Sequence, residues 1–253
     1  MKKISFLFLI ILLSACAIDA TKKVNFEETK LISSTSEKYV GIELNNSYQW
    51  LGIPYAEPPQ GSLRWKAPRA LSNQKEVVKA LKFSDSCPQV PSISLDRGGR
   101  GEYTGSEDCL YLNVFTPKKM SSDKKLPVMF WIHGGGNTSG EAASYDFSKL
   151  ASAHELVIVS INYRLGFLGW FYHPSFAATS NNPEDKSGNF GTLDQIMALK
   201  WVKQNIDDFG GDKNNVTIFG ESAGGHNVFA LLSSPLAKDL FHKAISQSGA
   251  TNT

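Results

Sequence analysis

The stretch Val216-Thr217-Ile218-Phe219-Gly220-Glu221-Ser222-Ala223-Gly224-Gly225 decides how this chain reads. An apolar run at 216–219 leads into Gly-Glu-Ser-Ala-Gly, and small apolar residues suited to a helix occupy 223–232. Strand, sharp turn, helix is the setting in which a G-x-S-x-G turn lifts a serine hydroxyl clear of a sheet. Glycines flank Ser222 because such a turn leaves no room for neighbouring side chains. A glycine-rich helix start that holds a phosphate is the competing reading, but no Gly-Lys-Ser/Thr accompanies it.

Upstream, a second apolar run at 128–132 ends in His133-Gly134-Gly135-Gly136. Acyl transfer passes through a tetrahedral oxyanion, and a backbone N–H aimed at that oxygen is worth about 3–4 kcal/mol. Glycines allow the close approach such donors need, and the residue after the nucleophile, Ala223, supplies another N–H. A flexible turn would also use glycines, so this loop gains meaning only beside the Ser222 segment.

Further runs at 156–161 and 244–245 join 128–132 and 216–219 as strands apolar on both faces, the pattern of a covered parallel sheet. Between them Leu193, Ile196, Met197 and Trp201 fall on one helical stripe, which ends before Gly210-Gly211. Earlier strand-like runs at 39–44, 48–53 and 110–115 suggest a small N-terminal β-meander, with Pro- and Gly-rich loops before the last of them. The expected fold class is α/β: a central, mostly parallel sheet with flanking helices.

Length, 253 residues, suits one large domain or two small ones, and 42% hydrophobic with 20% charged residues excludes disorder. A net charge of +2 with no basic block gives no electrostatic case for nucleic acid. No apolar stretch reaches the ~20 residues of a membrane span. Residues 1–15 have the layout of an export signal: Lys2 and Lys3, an apolar run at 4–13, then Ser14 and Ala15. Residues 16–37 read as a polar tether and 38–253 as the domain. In an oxidising compartment Cys87 and Cys109 are expected to be bridged, contributing roughly 3 kcal/mol; two free buried thiols are the alternative. No Cys/His spacing suggests zinc, and no motif implies a metal or another cofactor.

Leu13-Ser14-Ala15-Cys16 resembles a bacterial lipobox. That resemblance implies a lipid on Cys16, a membrane partner through it and, with Ala17 rather than Asp next, the outer membrane. A plain secretory signal, giving a secreted or periplasmic protein, is the alternative. The chain as a whole resembles the type-B carboxylesterase/cholinesterase family of α/β-hydrolases. The matching blocks are Gly52-Ile53-Pro54-Tyr55-Ala56, Leu63-Arg64-Trp65, Glu107-Asp108-Cys109-Leu110-Tyr111-Leu112-Asn113-Val114, Asn162-Tyr163-Arg164-Leu165-Gly166, Asp194-Gln195, Phe209-Gly210-Gly211-Asp212 and Ser246-Gln247-Ser248-Gly249. The resemblance implies Ser222 as nucleophile, Gly135, Gly136 and Ala223 as oxyanion-hole donors, and Cys87–Cys109 as a disulfide. It also implies Arg64–Glu107 and Arg164–Asp194 as structural ion pairs, Glu221 as a supporting group, and a small-molecule carboxylic ester as substrate. A cholinesterase-like binding or adhesion protein without catalysis is the alternative function.

A serine hydroxyl needs a base. In this fold the acid and histidine follow the serine, yet the residues after Ser222 offer one carboxylate, Asp239, and two histidines, His226 and His242. The helix after the turn carries the chain away at about 1.5 Å per residue, so Asp239 and His242 are expected to lie out of reach. The chain thus resembles the N-terminal half of an esterase, its C-terminal half absent, and alone is expected to turn over little. Trp131, Phe167 and Phe171 are candidates for an apolar pocket, though buried aromatics more often serve the core.

Overall fold

A computed structural model describes residues 30–34, 36–72, 76–90, 102–118, 124–178 and 180–250. The export signal (1–15), the Cys16 lipidation position and the tether up to residue 29 lie outside the described residues.

One nine-stranded sheet organises the chain. Its first part is antiparallel: β1 (Lys30–Ser33), β2 (Tyr39–Leu44), β3 (Ser47–Pro54) and, after the short β4 (Val78–Lys79) that pairs β2 in parallel, β5 (Tyr111–Pro117). Its second part is parallel: β6 (Leu126–Ile132), β7 (Val157–Ile161), β8 (Gly211–Glu221) and β9 (Lys243–Gln247). Spatial order is β1-β2-β3-β5-β7-β6-β8-β9, with β5 and β7 antiparallel where the two parts join. The meander is therefore continuous with the parallel part. β1 falls inside the segment expected to be tether. Leu31 is 59% exposed, and only Ile32 packs against the core, so a strand paired to β2 along its backbone carries too short an apolar run to stand out.

Neighbouring positions of the central strands enter different cores. Val128, Phe130 and Ile132 join one cluster with Val157, Val159 and Ile161; Trp131 and Ile158 join another with Phe115 and Phe219. Period-2 alternation thus fills both faces of the sheet, which is why these strands read as unbroken apolar runs. The helices are α1 (Ser148–His154), α2 (Gly166–Gly169), α3 (Pro174–Ala178), α4 (Phe190–Asn205) and α5 (Ala223–Ser233). In α4 the burial extends beyond the expected stripe to Phe190, Leu199 and Val202, so the helix is packed on several sides. Gly210, left-handed at φ +77°, ends the short turn after α4.

β9 lies at the end of the sheet order, paired on one side to β8. Its residues are exposed apart from the half-buried Ser246, and Ile245 is 47% exposed.

Candidate active site

The register of β6 and β8 builds the site. Ile132 pairs with Gly220, so both strands finish at one level and the loops that follow emerge side by side. After β8 the chain turns sharply at Ser222, with φ +55° and ψ −121°, and enters α5 at Ala223. The Ser222 N–H donates to the Gln247 carbonyl of β9 (2.9 Å), and its carbonyl accepts from the His226 N–H (3.0 Å). The turn is thus tied to the next strand and to the first turn of its own helix. Gly224 lets α5 cross directly over β6, since a Cβ there would collide with the Ile132 carbonyl oxygen.

Against this turn sits the loop 133–140. A Cβ at Gly134 would lie 3.2 Å from Ser222 Cβ and 3.0 Å from Glu221 Oε2, so loop and turn touch with only a glycine between them. The Gly135 carbonyl accepts from the N–H groups of Thr138 (3.1 Å) and Ser139 (3.0 Å), which curls the loop into a compact turn. Asn137 and Asn227 exchange side-chain hydrogen bonds of 2.9 and 3.3 Å, joining the loop to α5. The Tyr163 hydroxyl donates to the His133 carbonyl (2.6 Å), and the two rings stack at 4.4 Å.

Of the histidines, His133 is buried, its Nδ1 lying 2.8 Å from the Gly134 carbonyl, and burial pushes it down to about 4. It stays neutral near pH 7 and shapes the loop. Nδ1 of His242 accepts from the Val216 N–H, and the His242 N–H donates to the Val216 carbonyl. Val216 lies on β8 six positions before Ser222, roughly 20 Å along an extended strand, so His242 is remote from the serine. The Asp239 carbonyl accepts from Lys203. His226 lines a cleft of about 510 Å³ with Asn137, Trp170, Leu193, Ile196 and Asn227. His154 lies in the last turn of α1, and His173 accepts from the Ser175 N–H.

The supporting pairs differ in burial. Arg164 and Asp194 are 3% and 0% exposed, with Nε–Oδ2 at 2.8 Å, Nη2–Oδ1 at 2.7 Å and the Arg164 N–H on Oδ2 at 3.0 Å. Burial pushes the Asp194 carboxyl up, and the guanidinium pulls against it. Arg64 and Glu107 meet in a bidentate pair at the surface, Nε–Oε2 at 2.7 Å. Cys87 and Cys109 are bridged. Trp131 packs into the second core against Tyr145 and Phe219, while Phe167 and Phe171 are 58% and 40% exposed. Burial first, and the Glu221 carboxylate second, raise the Tyr145 phenol.

Nothing in the sequence singles out the Tyr163 hydroxyl, Asn137 or Asn227. Their roles depend on contacts between distant segments, and no spacing signal marks such contacts.

A mixed sheet whose parallel part carries a strand-to-helix turn with a serine beside a glycine loop defines an α/β-hydrolase. Residues 33–253 match the carboxylesterase family model, and the chain belongs to that family. It is 46% identical over 226 residues to the para-nitrobenzyl esterase of Bacillus subtilis (strain 168), covering 88% of this chain and 44% of that protein. It is 45% identical over 225 residues to a liver carboxylesterase of Sus scrofa, covering 85% and 38%. A solved PNB esterase structure superposes with TM-score 0.76 at 46% identity, covering 87% of this chain and 44% of the other. The chain spans less than half the length of these relatives.

Proposed function

We propose that this chain belongs to a carboxylic-ester hydrolase in which Ser222 attacks the ester carbonyl and carries the acyl group as a covalent intermediate. The observation that supports it most is the contact between Gly134 and the Ser222 turn, which sets the 133–140 loop against the serine. In this reading the N–H groups of Gly135, Gly136 and Ala223 converge on the developing oxyanion, with the N-terminus of α5 adding a favourable partial charge. Glu221 supports the site from the position beside the serine. The general base and its orienting acid come from the length of the relatives that this chain does not span, because His242 is tied to Val216, six positions before Ser222 along β8.

The substrate in this reading is a small-molecule carboxylic ester. The Leu13-Ser14-Ala15-Cys16 string supports export and lipid attachment at Cys16, which would hold the domain at a membrane surface. Among the described residues no helix is long and apolar enough to cross a membrane.

Turnover of p-nitrophenyl acetate by the whole protein tests the activity. The reading expects release of p-nitrophenol that Ser222→Ala abolishes. Equal turnover by that variant would refute it.

A further inference from the structure

The loop beside Ser222 is closed by a residue from the disulfide-bridged segment. Gln89 lies two positions after Cys87, and its backbone is fixed by two hydrogen bonds to Thr104, at 3.0 and 2.9 Å. Its carboxamide spans Gly140: Oε1 accepts the Gly140 N–H at 2.8 Å, and Nε2 donates to the Gly140 carbonyl at 3.0 Å. Nε2 also donates to the Cys87 carbonyl at 3.1 Å. Both donors and the acceptor are thereby used, a combination that needs an amide of this length.

What Gln89 grips is itself wedged. Gly140, at φ +110°, sits so close to the loop start that a Cβ would lie 2.5 Å from His133 Nδ1 and 2.6 Å from the Gly134 carbonyl oxygen. Gly135 in turn lies directly on the Ser139 carbonyl, with no room for a Cβ between them. A displacement of Gly140 is therefore passed by hard contact to Gly134 and Gly135, because packed backbone does not compress.

We propose that Gln89 is a positioning residue for the oxyanion loop: by gripping both backbone groups of Gly140 it sets the direction of the Gly135 and Gly136 N–H groups, and the Cys87–Cys109 bridge holds Gln89 in place to do so. The catalytic consequence rests on the ester-hydrolase reading; the structural consequence does not.

Gln89→Leu, which keeps the volume, and Gln89→Glu, which keeps one acceptor but sets a carboxylate oxygen against two carbonyls, test this in the whole protein, base and acid included. Three quantities are read: amide hydrogen exchange across 134–140, the urea midpoint, and phosphonylation of Ser222 by a fluorophosphonate split into its binding constant and its maximal rate. Both variants are expected to exchange roughly tenfold faster or more at 134–140 while the β6–β8 core keeps wild-type protection. The maximal rate is expected to fall on the order of a hundredfold with the binding constant little changed, since the donors act on the developing oxyanion. Wild-type exchange and labelling in both variants would overturn the proposal. So would faster exchange spread evenly over the core strands, which would mark Gln89 as a general stabiliser. Should wild-type Ser222 take no label, the hydrolase reading falls, and exchange at 134–140 still decides whether Gln89 holds the loop.

Discussion

Replacing Ser222 by glycine is expected to make the protein more stable than replacing it by alanine, the reverse of the usual order. Ser222 holds φ +55° and ψ −121°, a region that residues with a Cβ rarely occupy and that costs on the order of 1–3 kcal/mol. The strain persists because both sides of the turn are tied, through the Gln247 carbonyl and the His226 N–H. Alanine removes the hydroxyl and keeps the strain. Glycine removes both but adds about 0.5–1 kcal/mol of backbone entropy to be lost on folding. The balance puts Ser222→Gly about 1 kcal/mol above Ser222→Ala, and the subtraction cancels the hydroxyl common to both. Urea unfolding of the pair measures it, with the slope of the transition checked for constancy. If the glycine variant proved less stable than the alanine variant by about 0.5–1 kcal/mol, as at an unstrained position, the serine would not be held under strain and the turn as described would be wrong.

Arg164→Ala strands a buried carboxylate and is expected to cost about 3–5 kcal/mol near neutral pH. Asp194 is already pushed up by burial, and losing the guanidinium removes what opposes that, so its folded pKa rises further above the unfolded value. Stability from such a group is present below the unfolded pKa and lost as pH rises through the folded one. The gap to wild type should therefore narrow on acidification and widen toward neutrality; urea titrations that give a gap independent of pH would contradict this. Arg64→Ala, at the surface, should leave the midpoint near wild type.

What the sequence made legible follows from how burial is written into it. Strands β6, β7 and β8 are covered on both faces, so their apolar runs are continuous, and the Ser222 turn carries its glycines because the backbone crosses there at contact distance. β1 and β4 are short strands that each bring one residue, Ile32 and Val78, against the core, too little apolar pattern for composition to mark. The short helix α1 carries no sustained stripe either, its seven residues offering Leu150 among six small, polar or charged positions. At the site, Ser222 and the glycine loop announce themselves because close backbone approach needs glycine at particular turns. Gln89 does not, since a glutamine in a Pro-rich loop reads as solvent-facing. Its meaning arises only when the 87–109 bridge and the loop ending at Gly140 are folded against each other.

The central claim is that the hydroxyl at Ser222 is singled out for attack by its turn and by the loop facing it. The most direct measurement is to expose the whole protein, natively folded, to a fluorophosphonate, digest it, and map the adduct by mass spectrometry. The account predicts one dominant adduct, on Ser222, that disappears in Ser222→Ala and on denaturation before labelling. Adducts spread over other serines at comparable rates, or a Ser222 no more reactive folded than unfolded, would contradict it.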